Sequence, residues 1–252
     1  MTFAICFQIS VCARGVADTR GTDPDEPIVL GISRALNLEF QISNFESFLG
    51  LTYFGRCPMV DSMIDSIRQA VADSIELKKS FFRDNEELIA RIAGEICASL
   101  RNGNKILLYG NGGSAADAQH IAAEWVGRFQ RERGPVPAIA LTTDTSILTA
   151  VGNDYGFDQI FARQVRALGR KGDIALAIST SGNSPNVLLA TEAAGELGMI
   201  TVGLTGRDGG KLSAKVRYHL NVPHDLTARI QEVHIMVGHV LCQLTDENLK
   251  GL

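Results

Sequence analysis

The chain has 252 residues, of which 45% are hydrophobic, and a formal net charge of −4. That length suffices for one domain with a full core plus an appendage. The acidic balance, with no dense Lys/Arg block, gives no electrostatic reason to expect nucleic acid, and no apolar run is long enough to span a bilayer.

Residues 1–58 do not resemble the rest. Residues 4–13 are weakly apolar, 15–27 are polar and turn-rich, and 28–53 show no sustained periodicity. Residues 3–11 have the look of a short signal-peptide core, but no basic stretch precedes them and Ala13-Arg14-Gly15 is a poor cleavage site. The segment reads as a disordered or non-native extension, with Met59 and Met63 as alternative initiators. A domain over 59–252 follows, made of a helical pair at 61–102 and an α/β body at 103–252.

In the helical pair, Ile64, Ile67, Val71 and Ile75 recur at helical spacing, with Asp61 and Ser62 as N-cap candidates. After a polar break at Arg83-Asp84-Asn85, a second stripe carries Leu88, Ile92, Ile96 and Leu100 and ends near Asn102-Gly103. Such helices pack together or onto a partner subunit. Five short apolar runs then follow, at 105–109, 137–141, 173–178, 199–205 and 218–222. They alternate with helical stretches at 113–128, 146–151 with 157–168, 185–197, 209–215 and 226–247. This alternation predicts an α/β fold: a five-stranded parallel sheet sandwiched by helices, flavodoxin-like, preceded by two N-terminal helices. Ligands of such sheets bind beyond the carboxyl ends of the strands. The five cysteines (Cys6, Cys12, Cys57, Cys97, Cys242) are scattered and never spaced as C-x-x-C, which suits a reducing cytoplasm.

Two loops lie at such strand ends. After the third strand, Ser179, Thr180, Ser181 and Ser184 crowd four hydroxyls into six positions ahead of a helix opening with Pro185. Free backbone N–H groups, the helix dipole and uncharged hydroxyl donors together suit a phosphate ester. A capping role for Ser184 would account for one hydroxyl, not four. After the first strand comes Gly110-Asn111-Gly112-Gly113-Ser114. A dinucleotide fingerprint would need glycine where Ala115 stands, and there is no Walker lysine. Asn111, Gly112 and Gly113 instead read as a loop that lets the backbone approach a small polar ligand.

That glycine loop and the Asp117-Ala118-Gln119-His120 that follows it resemble the sugar isomerase domain of bacterial phosphoheptose isomerases. So do Val151-Gly152-Asn153-Asp154-Tyr155-Gly156-Phe157, the hydroxyl loop, and Arg229-Ile230-Gln231-Glu232-Val233-His234; the similarity runs from about Asp61 to Asn248. His120 and Glu124, four apart on a predicted helix, share one face, the spacing of a two-ligand metal clip. The last helix is apolar nearly all round and carries Gln231, His234 and His239; His234 reads as a hydrogen-bonded core histidine.

The resemblance implies one zinc ion per subunit, held by His120, Glu124, Gln231 and His239. It also implies isomerisation of sedoheptulose 7-phosphate to D-glycero-D-manno-heptose 7-phosphate through an enediol, early in lipopolysaccharide precursor synthesis. Glu124 would be the base and His239 its acid partner. Ser179, Thr180, Ser181 and Ser184 would hold the phosphate, with Glu124 and Gln231 also touching substrate. Asn153 and Asp154 would bind sugar hydroxyls, Asp154 being alternatively a turn residue. Asp117 would orient His120, and the assembly would be a homotetramer without membrane or nucleic-acid partners. Gln231 and His239 are eight residues apart, about 12 Å along a helix, which predicts a site built between subunits. The rival readings are a phosphosugar-binding regulator without catalysis, of the kind that binds the replication initiator, and a different phosphosugar isomerase or lyase. Presence of His120, Glu124, Gln231 and His239 together favours an enzyme over the regulator.

Overall fold

The computed structural model describes residues 58–249. The expectations for the N-terminal extension, and Cys6, Cys12 and Cys57, lie outside the described residues.

Helix α1 (Pro58–Arg101) is one continuous helix, where the sequence reading predicts a pair. Arg83-Asp84-Asn85 contains neither glycine nor proline, and its polar groups are accommodated without interrupting the helix. Arg83 pairs with Asp84, and Asn85 Nδ2 donates to the Phe81 carbonyl one turn back. Polarity on a solvent face does not break a helix. Gly103, at φ 77°, ends it.

Five strands follow: β1 (Ile106–Gly110), β2 (Ala138–Ala140), β3 (Ile174–Ser179), β4 (Ile200–Gly206) and β5 (Tyr218–Val222). They form one parallel sheet in the order β2-β1-β3-β4-β5. The helices between them are α2 (Gly113–Val126), α3 (Thr145–Tyr155), α4 (Ile160–Leu168), α5 (Pro185–Glu196) and α6 (Thr227–Asn248). The stretches Phe157–Gln159 and Lys211–Ala214 are short 3₁₀ turns. The expected architecture is thus present, with most boundaries shifted by a few residues.

Side chains alternate across the sheet. Ile106, Leu108, Ile174, Leu176 and Ile178 enter the layer beneath α1, α2 and α6, whereas Leu107, Tyr109, Ala175 and Ala177 enter the layer beneath α4 and α5. The chain leaves β1 toward β2 on one side and returns to β3 on the other. The β1/β3 boundary is therefore the topological switch point where a crevice opens. Cys97 and Cys242 are buried free thiols, and no described helix is long and apolar enough to cross a membrane.

Candidate active site

Gly110 pairs in register with Ile178 at the carboxyl edge of β1 and β3. A Cβ there would stand 2.7 Å from the Ile178 carbonyl, so the two strand ends approach this closely only because residue 110 is glycine. Asn111 follows, and its side chain is engaged across the crevice. Its Nδ2 donates to Asn186 Oδ1 at 2.8 Å, and Asn186 Nδ2 donates back to Asn111 Oδ1 at 2.9 Å. Asn186, only 2% exposed, sits in the first turn of α5. Sequence reasoning missed it, because one amide beside a proline carries no pattern. The reciprocal pair holds the glycine loop against the hydroxyl loop.

In the hydroxyl loop, Ser179 closes β3 and is buried, while Thr180, Ser181 and Ser184 are half-buried. Ser184 occupies the N-cap position of α5 but caps no backbone N–H; its Oγ lies 3.1 Å from Ser179 Oγ. The plain capping role is therefore absent, which leaves the helix N-terminus open to an anion. Gly182, at φ 63°, lies flat on the β4 loop, since a Cβ would come within 2.0 Å of the Gly209 carbonyl oxygen. Ser181 and Asn183 also border a cleft of about 600 Å³ shared with Arg207, Asp208, Pro223 and His224.

Helices α2 and α6 pack side by side and bring three predicted ligands together within one chain. His120 Nε2 is 3.2 Å from Glu124 Oε1 and 3.2 Å from His239 Nε2. All three donor atoms lie within 4.8 Å of one another. Donors about 2.0–2.1 Å from a tetrahedral ion stand about 3.3 Å apart, so the two imidazoles and the carboxylate can hold a metal ion. The expectation that subunits must share the site does not apply to these three. The amide of Gln231 rests against Gly113, at the start of α2, where a Cβ would fall 2.2 Å from Nε2. Eight residues, about 12 Å of helix, separate it from His239.

Three smaller expectations fare differently. Asp117 forms no hydrogen bond to His120 among the described residues; its Oδ2 is buried without a partner, and burial raises its pKa. Asn153 Nδ2 donates to Asp154 Oδ1 at 2.8 Å, both residues exposed in the last turn of α3. His234 is the core histidine expected: 1% exposed, with Nε2 2.9 Å from the Thr205 carbonyl.

Comparison with known proteins places these features in context. The SIS domain family model matches residues 71–206. The phosphoheptose isomerase of Nitratidesulfovibrio vulgaris (strain Miyazaki F) is 54% identical over 191 residues, covering 74% of this chain and 92% of the relative. That of Aquifex aeolicus is 55% identical over 185 residues, covering 73% and 97%. The solved structure of phosphoheptose isomerase from Neisseria gonorrhoeae superposes with a TM-score of 0.70 at 49% identity, covering 73% of this chain and 99% of that one.

Proposed function

The chain belongs to the SIS domain family and, within it, to the phosphoheptose isomerases, and from that premise we propose that it converts sedoheptulose 7-phosphate to D-glycero-D-manno-heptose 7-phosphate. The reaction supplies heptose precursors for lipopolysaccharide. The observation that carries this reading is the convergence of Glu124, His120 and His239 beside the switch-point helix. A regulator that only binds a phosphosugar needs the hydroxyl loop but no such cluster.

Aldose–ketose interconversion moves a proton from C1 of the ketose to C2 and shifts the carbonyl in the opposite sense. One group must take the C–H proton and another must protonate oxygen as charge develops. Glu124 is the carboxylate base of this reading, and His239 is the acid–base partner at the carbonyl and hydroxyl oxygens. Ser179, Thr180, Ser181 and Ser184 hold the phosphate at the α5 N-terminus, assisted by the helix dipole. Gly112 and Gly113 admit the sugar close to the backbone, and Asn153 and Asp154 bind hydroxyls. His120, Glu124 and His239, with Gln231 as the fourth donor, would hold zinc, which as a Lewis acid stabilises negative charge on substrate oxygen. Gln231 sits too far along α6 to join His239 easily, so the fourth donor of this reading comes from a second copy.

A homotetramer fits the surface of α1. Met63, Ile67, Val71 and Ile75 recur every four residues and stand 48–64% exposed. A stripe of that length is covered by another subunit more readily than by water. The deciding experiment incubates the purified protein with sedoheptulose 7-phosphate, with and without zinc, and follows the aldose product. Glu124→Gln is expected to lower turnover by about 10²–10⁴ while the protein stays folded; wild-type turnover in that variant removes the assignment.

A further inference from the structure

The segment between α2 and β2 has almost no regular structure, yet it is fastened at several points. Asp246, near the end of α6, accepts Gln130 N at 3.1 Å and Arg131 N at 3.3 Å on Oδ2, and Arg133 Nε at 2.5 Å on Oδ1. The Arg133 guanidinium also donates to the carbonyls of Trp125 at 2.8 Å and Glu124 at 3.1 Å. Those carbonyls close α2 and have no further helical turn to receive them. The side chains of Arg133 and Asp246 are 6% and 1% exposed. Burial alone would raise the Asp246 pKa, but the Arg133 and backbone N–H bonds hold it below the usual carboxylate range.

This fastening carries Phe129 onto His239. The two rings stack with centroids 5.6 Å apart and planes 25° apart, an offset geometry that aromatic pairs favour. The opposite constraint is His120, whose ring centroid is 5.1 Å away at 59°. A metal-binding or acid–base imidazole normally fixes its plane by donating its second N–H to a carboxylate or carbonyl. Among the described residues, His239 makes a hydrogen bond only through Nε2, to His120. Without that second bond its terminal torsion is broad, and the Phe129 face is the contact that narrows it.

We propose that residues 127–134 form a positioning strap for His239: the Arg133–Asp246 pair pins the strap between the ends of α2 and α6, and Phe129 sets the imidazole plane that faces His120 and Glu124. This deepens the proposed function and rests on it for its catalytic consequence, though not for the contact itself. Phe129, Arg133 and Asp246 are positioning residues and touch no reacting atom.

The test compares the wild type with Phe129→Leu and Phe129→Tyr, using Asp246→Asn as a second way to release the strap. NMR of the metal-free protein reads the His239 ring protons, which a stacked phenyl shifts upfield. Chelator competition with cobalt(II) reads the affinity of the cluster, and steady-state kinetics read kcat against KM. Phe129→Leu is expected to lose the upfield shift, weaken cobalt binding and lower kcat, each of the last two by about tenfold, with KM little changed. Phe129→Tyr restores all three, and Asp246→Asn reproduces the loss of the shift even where its stability falls. His239 shifts and cobalt affinity unchanged in Phe129→Leu overturn the strap. A wild type that shows the shift but never turns over sedoheptulose 7-phosphate removes the proposed function and leaves the strap standing.

Discussion

Ile121 occupies the space that Gly238 leaves by having no side chain: a Cβ on Gly238 would lie 2.2 Å from Ile121 Cδ1 and 2.6 Å from Cγ1. Each is the chain neighbour of a cluster histidine, His120 before Ile121 and His239 after Gly238. The close crossing of α2 and α6 is thus what brings the two Nε2 atoms to 3.2 Å. Gly238→Ala is expected to cost about 1–3 kcal/mol by overpacking and to lower turnover by spreading the cluster. Ile121→Ala leaves only its Cβ, 3.7 Å away, so the double variant is expected to be less damaged than the sum of the two singles. Urea unfolding of all four proteins checks the coupling; strict additivity would show that the helices do not meet through this pair.

Gly113→Ala separates site geometry from stability. The atom its Cβ would strike is the terminal Nε2 of Gln231, which can swing away at little cost. Stability is expected to change by less than about 1 kcal/mol. The loss of a Gln231 contact lowers kcat/KM by up to about tenfold, the worth of one hydrogen bond. Gln231→Ala should match it. A Gly113→Ala enzyme with full activity would detach Gln231 from catalysis.

Metal loading is expected to stabilise the fold, because the cluster is formed by folded α2 and α6. At free zinc about a hundred times its Kd, mass action adds about 2.7 kcal/mol, visible as a rise in Tm that chelation reverses. His120→Ala should abolish the rise. A zinc-dependent Tm that survives in His120→Ala would place the ion elsewhere.

Acid stability should report on His234. Burial lowers its pKa from the ordinary 6.5 to about 4, against a raising influence from the Thr205 carbonyl. Its Nδ1 is buried without a partner, so a second proton has nowhere favourable to go. The unfolded chain therefore binds the proton first as pH falls. The His234 contribution to folding stability should decline from about pH 6.5 to about pH 4, by roughly 3 kcal/mol in all, and level off below, where Asp246 takes over the acid dependence. Urea titrations across that range check it, and His234→Gln should flatten the slope.

Much of the candidate site was legible because its signals are local. Four hydroxyls at a strand end, glycines after another strand, and His120 four residues before Glu124 are patterns a linear chain displays. The helix break predicted at Arg83-Asp84-Asn85 failed because polarity alone cannot distinguish a loop from the solvent face of a long helix. Asn186, Phe129 and Asp246 were missed because each matters only through a partner far away in the chain.

Hydrophobic spacing is a property of neighbouring residues, so composition and periodicity alone determined five strands, their alternation with helices, and the loops at two strand ends. Which strands adjoin depends on pairings between segments far apart in the chain, and how closely α2 meets α6 and which ring faces His239 depend on contacts across more than a hundred residues. Those were decided only when the chain packed, because the fit of Ile121 into the gap at Gly238 does not exist until the two helices touch.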